Sequence, residues 1–193
     1  TSPLAVSAEG ETTVYYRSID KAGNVEVTGT TTIRIDNSPP TTWTYLDGKQ
    51  VNGWYVGDVW VYLNRMDLLS GVASTWYSFD QTNWYAFPED GLTLSASGQT
   101  TVFYYSIDAV GNVEGTKHTT IRIDNTPPTT TITLSGTQGL NGWYTSNVVV
   151  TLSAADALSG VATTVYSFDG VNLVNYTDKG PFTVLTEGYT TVY

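Results

Sequence analysis

TTVYYRSIDKAGNVEVTGTTTIRIDNSPPTT, Thr12 to Thr42, comes back 88 residues later as TTVFYYSIDAVGNVEGTKHTTIRIDNTPPTT, Thr100 to Thr130, with 23 of 31 positions identical. Its opening returns once more as Thr190-Thr191-Val192-Tyr193. In the first copy Val14, Tyr16 and Ser18 alternate with Tyr15, Arg17 and Ile19, the period of two that marks a strand. Asp20-Lys21-Ala22-Gly23-Asn24 supplies turn chemistry, because Asp bonds its own backbone and Gly and Asn accept positive φ. Thr32-Ile33-Arg34-Ile35 is β-branched enough to form the return strand. Asn37-Ser38-Pro39-Pro40 ends it, since proline donates no ladder hydrogen bond and stiffens the exit. The chain therefore reads as a repeat of about 89 residues, with every repeat made of strands.

Working outward, the repeat divides the chain at its Pro-Pro exits. Residues 1–38 read as the last strands of a partial repeat, 39–126 as a complete repeat and 127–193 as the early part of a third. Ser2 to Gly10 aligns with Gly91 to Gly98 and with Pro181 to Gly188, each reading as a short strand closed by a Gly turn. That makes residues 2–36 a three-strand piece. In the complete repeat, Thr42 to Leu46 reads as a strand, and Asp47-Gly48 and Asn52-Gly53 as turns. Val59, Val61 and Leu63 alternate inward, and Val148, Val150 and Leu152 replace them in the third repeat. Asp67-Leu68-Leu69-Ser70-Gly71 reads as a loop and Thr75 to Asp80 as a strand. About seven short strands with turns every eight to twelve residues is the pattern of an Ig-type sandwich.

Composition excludes several function classes. Eight basic residues stand against 18 acidic ones, for a net charge of −10, which argues against nucleic acid or an anionic membrane as partner. No apolar run is long enough to cross a membrane. Without cysteine there is no disulfide and no thiolate metal site. The single histidine, His118, is replaced by Thr30 one repeat earlier, so a nucleophilic triad is not expected. The carboxylates recur at turn positions (Asp20 with Asp108, Asp36 with Asp124, Asp67 with Asp156), which turn chemistry explains more simply than a glycosidase pair. No enzyme is expected.

The succession N-G-W-Y, D-x-L-S-G-V-A, Y-S-F-D, T-T-V-x-Y-x-S-I-D-x-x-G-N-V-E and I-R-I-D-N-x-P-P resembles the Ig-like repeats of large secreted bacterial and archaeal surface proteins. The resemblance implies tandem β-sandwiches serving outside the cell, at the cell surface, as a stalk, filament or adhesive module. It also admits the accessory, sugar-binding region of a secreted hydrolase.

Two candidate sites follow. In an Ig-type sandwich the entering linker lies beside the loops between strands B and C and between F and G. Asp36, Asn37, Asp67, Asp108 and Asn112 should then meet at one end of the complete repeat. Asp124, Asn125 and Asp156 should meet at the next joint. Hard oxygen ligands at a domain junction suit calcium; the alternative is that the same carboxylates cap strand ends and close Asx turns. The second candidate is aromatic. Trp43, Trp60 and Trp84 align with Thr131, Val149 and Leu173, and Trp60 is out of phase with Val59 and Val61, so an exposed face for glycans or another subunit is expected. Asn175-Tyr176-Thr177 is the one glycosylation sequon.

The repeat register also makes Thr1–Tyr15 equivalent to Lys179–Tyr193. The third repeat then lacks the hairpin that Tyr16 to Asp36 provides at the other end. This leads to the expectation that copies associate head to tail by strand complementation, unless a continuous array supplies the completing strands.

Overall fold

A computed structural model describes residues 3–193. It is all-β, with one short helix. The strands are β1 (Gly10–Tyr16), β2 (Gly29–Ile35), β3 (Thr41–Val51), β4 (Trp54–Met66), β5 (Val72–Ser78), β6 (Tyr85–Ala86), β7 (Leu92–Leu94), β8 (Gly98–Asp108), β9 (Lys117–Ile123), β10 (Thr129–Ser135), β11 (Val148–Ala155), β12 (Val165–Tyr166), β13 (Val174–Asn175) and β14 (Phe182–Val184). The helix, α1 (Tyr176–Lys179), is capped by Asn175, whose side chain accepts the Asp178 N–H.

The hairpin β1–β2 stands as a two-stranded sheet in which Val14 faces Thr31 and Thr12 faces Ile33. Residues 41–123 form the largest sheet, in the order β3-β4-β9-β8-β5-β6, with β7 on the other edge of β4. Only one parallel bridge, Tyr55 to Ile123, joins β4 to β9. The path therefore folds over: β3, β4 and β7 lie on one side, and β5, β6, β8 and β9 on the other. That arrangement is compatible with a β-sandwich. Between the layers Tyr55, Val59, Val61, Val102, Ile121 and Ile123 make one buried cluster, and Leu63, Phe87 and Tyr104 make a second. Each such side chain withdrawn from water stabilises the fold by about 1.5–3 kcal/mol. Farther on, β10-β11-β14 form a three-stranded sheet and β12-β13 a two-stranded one, with Val150 and Tyr166 buried.

Turn residues fall where backbone geometry demands them. Asn52 and Gly53 both have positive φ, 49° and 82°, the requirement of the tight two-residue hairpin that joins β3 to β4. At Gly91 a Cβ would come within 2.9 Å of the Val61 carbonyl oxygen. Only glycine lets this turn lie against β4.

Three local expectations are corrected. Leu4 to Val6 form no strand, although the matching Leu92–Leu94 and Phe182–Val184 do. Those two pair with β4 and β11, whereas among the described residues no strand pairs with residues 4–6, and residues 3–38 hold two strands rather than three (Ser2 lies outside the described residues). Asp47-Gly48 is not a turn but a bulge within the β3–β4 ladder, because the chain stays paired up to Val51. The strand expected from Thr75 to Asp80 runs from Val72 to Ser78; Asp80 leaves it to close a turn.

Candidate functional site: acidic joints and an aromatic face

The first joint is built from Asx turns, in which a short carboxylate accepts N–H groups two to four residues ahead. Asp67 Oδ1 accepts the N–H groups of Leu69, Ser70 and Gly71 at 3.1, 2.9 and 2.7 Å. Asp108 Oδ1 accepts those of Val110, Gly111 and Asn112 at 3.0, 2.7 and 2.8 Å. These turns hold the two loops in shape. Asp36, at the end of β2, crosses between them: its Oδ1 accepts the Ser38 N–H, and its Oδ2 accepts the Ser70 N–H at 3.0 Å. The Asn112 amide then donates to the Asp36 carbonyl at 3.1 Å. The linker is clasped by both loops.

The three carboxylates that the sequence brings to this joint do meet. Asp36, Asp67 and Asp108 each place an oxygen within 4.8 Å of the others, and Asp108 is 2% exposed. Burial raises the pKa of Asp108, but hydrogen bonds from the Asn112 side chain and from the N–H groups of Asn112, Gly111 and Val110 outweigh it. The net shift is downward. The other two expected members differ from each other. Asn112 lies within the cluster, its amide N–H₂ donating to the Asp36 carbonyl and to Asp108 Oδ2. Asn37 is exposed, and its backbone N–H goes to Glu9 Oε1 at 2.9 Å.

The second joint repeats part of this construction. Asp156 Oδ1 accepts the N–H groups of Leu158 and Gly160, and Asp124 Oδ2 accepts the Ser159 N–H at 3.0 Å. Asp124 Oδ1 takes both the Thr126 N–H and its hydroxyl. Donation from Ser159 and then Thr126 holds the Asp124 carboxyl well below the usual carboxylate range. Asn125 ties this linker back, accepting from the Gly57 N–H at 2.6 Å and donating to the Ser95 carbonyl.

On the outer face of β3–β4, Trp43 and Trp60 are 46% and 43% exposed. Tyr45 sits beside Tyr62 with ring centroids 6.0 Å apart. Val59, Val61 and Leu63 point the other way and are buried, as the alternation requires. Trp84 lies elsewhere, beside β5–β8: it is half-buried, edge-on against Tyr105 at 4.7 Å. Asn175 is exposed, but its amide donates to Asp178 Oδ2 at 2.9 Å, so the sequon is folded into the start of α1.

Sequence reasoning passed over Ser70 and Ser159, which donate across the joints, although the repeated D-x-L-S-G motif contains both. It also passed over a buried polar knot. Ser106 Oγ lies 2.6 Å from Thr42 Oγ1 and 2.8 Å from Thr75 Oγ1. The Thr42 N–H donates to Glu114 Oε1 at 2.8 Å, and Lys117 bridges Glu114 and the Thr42 carbonyl. In the first copy the same positions hold Glu26 and Gly29, and that change was the available signal. Set against known proteins, the chain matches no family model, no curated protein and no solved structure.

Proposed function

We propose that this chain is a structural or adhesive stalk or filament segment, working outside the cell at its surface and built from tandem Ig-like repeats. One observation carries the reading. The same linker-to-loop hydrogen bond is made twice, Asp36 to Ser70 and Asp124 to Ser159, each at 3.0 Å and 88 to 89 residues apart in register. A joint made the same way twice suits a rod of equivalent units. The Ig-like assignment and the cell-surface setting come from the sequence resemblance, and the layered sheets and the seven strands between residues 41 and 123 agree with it. Scattering from the intact chain should give one narrow distribution of long dimensions, which widens in the variant Asp36→Ala/Asp124→Ala. If the two profiles superimpose, the joints do not set the shape and the stalk reading fails.

Two further readings have an observation each. The exposed Trp43 and Trp60 favour binding of surface glycans, the activity of an accessory region of a hydrolase. A glycan array on which specific binding disappears with Trp43→Ala and Trp60→Ala would select it. The three carboxylates within 4.8 Å favour a calcium ion at the first joint, which would relieve their mutual repulsion.

A further inference from the structure

The repeated sequence supplies an internal control for the aromatic face. β3 and β4 pair in the register Trp43 with Asn64, Tyr45 with Tyr62 and Asp47 with Trp60. β10 and β11 pair in the same register, with Thr131 opposite Ser153, Thr133 opposite Thr151 and Ser135 opposite Val149. The inward positions are kept, since Val59, Val61 and Leu63 answer to Val148, Val150 and Leu152. The outward ones change from Trp43, Tyr45, Trp60 and Tyr62 to Thr131, Thr133, Val149 and Thr151. The strand pair therefore forms without these rings. What they add is surface.

The four rings make a strip. Trp43, Tyr45 and Trp60 are exposed and Tyr62 is half-buried. From Trp60 to the level of Trp43, opposite Asn64, the strip runs about 14 Å along the antiparallel strand. Tyr62 is held in the middle of it. Its ring lies beside Tyr45 and packs over Gly91, where a Cβ would come within 2.9 Å of Tyr62 Cδ1. Beside Tyr62 and Asn64 opens a cleft of about 300 Å³, which Arg65 and Glu89 also line. Those two are joined at 2.6 Å. Asp47 and Asp58 flank Trp60, and Glu89 and Asp90 flank the cleft. These four acids outnumber Lys49 and Arg65, and Arg65 is already paired.

We propose that the outer face of β3–β4 binds an uncharged, extended oligosaccharide of β-linked pyranoses with equatorial hydroxyls. This rests on the glycan-binding reading and names its ligand class. In such a sugar the hydroxyls lie round the edge of each ring and leave both faces as C–H surface, which an aromatic ring covers. The amide of Asn64 and the carboxylates of Asp47 and Glu89 stand where edge hydroxyls need partners. The length of the strip calls for several linked rings rather than one. The acidic rim repels uronate and sulfated glycans, and it repels the identical face of a second copy of the chain. A neutral sugar meets neither penalty.

Calorimetric titration of the full chain with cellohexaose and with xylohexaose tests this, with a galacturonate oligomer of the same length as the charged control. At least one neutral hexamer should bind, and the galacturonate should bind about tenfold more weakly or not at all. Trp60→Val and Tyr62→Thr place at these sites the residues that β11 carries at the equivalent positions, so both variants should fold. Each should weaken binding of the neutral sugar about tenfold. Val149→Ala, on β11, should leave it unchanged. The proposal is overturned if neither hexamer binds, if the galacturonate binds equally well, or if both variants retain full affinity. A glycan array that still shows another sugar bound through Trp43 and Trp60 would then keep the glycan-binding reading while this ligand class falls. An array on which no sugar binds ends both.

Discussion

Asp36 Oδ2 accepts the Ser70 N–H at 3.0 Å, and Asp124 Oδ2 does the same to Ser159 at the same distance. In each case the donor belongs to a loop held by another aspartate, Asp67 or Asp156, whose Oδ1 accepts from neighbouring N–H groups. The carboxylate that ends one sheet therefore reads the conformation of the loop that follows about 35 residues later. Pro40, which follows the first clasp, is buried, so the exit direction is set by packing as well as by the fixed φ of proline.

The acid limb of stability should be steep and should depend on these turns. Hydrogen bonds from Asn83 and Thr82 lower the pKa of Asp80; bonds from Ser167 and then Asn172 and Val171 lower that of Asp169; and Asp124 is lowered as described. A carboxyl depressed in the folded state binds fewer protons than its unfolded counterpart below about pH 5. Its contribution is complete above the unfolded value, near 3.8, and is lost as pH falls through the folded value. Asp80→Asn should lower stability at pH 7 and flatten the dependence between pH 4 and pH 2. Denaturant melts across that range that keep the natural slope would show that Asp80 is not the titrating group.

Alternation along β4 sets a second contrast. Leu63→Ala removes a buried side chain from the second apolar cluster and should cost about 2–5 kcal/mol. Trp60→Ala, on the outer face, should change the stability of the monomer much less. Equal losses in urea midpoint would mean that the outer face is covered in solution.

How much of this was readable before folding depends on the range of the interaction. Val59, Val61 and Leu63 were legible because alternation is local. The meeting of Asp36, Asp67 and Asp108 was legible because it follows from the order of strands in a sandwich. The bulge at Asp47-Gly48 was not, since a turn dipeptide followed by only three more paired residues looks like a turn. Nor was the loss of a strand at Leu4 to Val6: its residues match Leu92–Leu94, but a strand needs a neighbour, and β4 serves the later copy. The polar knot around Ser106 joins residues 31 and 64 positions apart, which no periodicity reveals.

Calcium gives a separate outcome at the first joint. If an ion binds among Asp36, Asp67 and Asp108, the melting temperature should rise with calcium. The gain should be about 2.7 kcal/mol at a hundredfold excess over the dissociation constant, and chelator should abolish it. Asp67→Asn should remove the response. A melting temperature indifferent to both calcium and chelator leaves the carboxylates as turn caps alone.

Ser106→Ala compared with Ser18→Ala measures what the knot contributes. Removing the buried Ser106 hydroxyl leaves those of Thr42 and Thr75 without this partner, at a cost of about 1–3 kcal/mol. Ser18→Ala, at the equivalent but exposed position, should stay within about 0.5 kcal/mol when the protein is dilute. A similar cost at both positions in dilute solution would mean that Ser18 is already buried.

The ion pair of Glu114 and Lys117 makes the sharpest case, because its members are unevenly covered: their side chains are 6% and 40% exposed. Glu114 Oε1 holds the Thr42 N–H, while Oε2 is buried without a hydrogen-bond partner. A carboxylate in that position depends on the nearby ammonium to offset its lost hydration. Lys117→Met should therefore destabilise the protein at pH 7 by more than a surface ion pair is worth, about 1–3 kcal/mol rather than less than 1. Adding Glu114→Gln to that variant should recover part of the loss, because the amide oxygen still accepts from Thr42 and no charge remains to be compensated. The cycle of four proteins isolates the coupling. Glu26, the exposed counterpart, has Gly29 where Glu114 has Lys117, and Glu26→Gln should be close to neutral. If Lys117→Met proves neutral and the double variant is no better than Glu114→Gln alone, the lysine is a surface residue. The Glu114 carboxylate would then be supported by the Thr42 N–H alone.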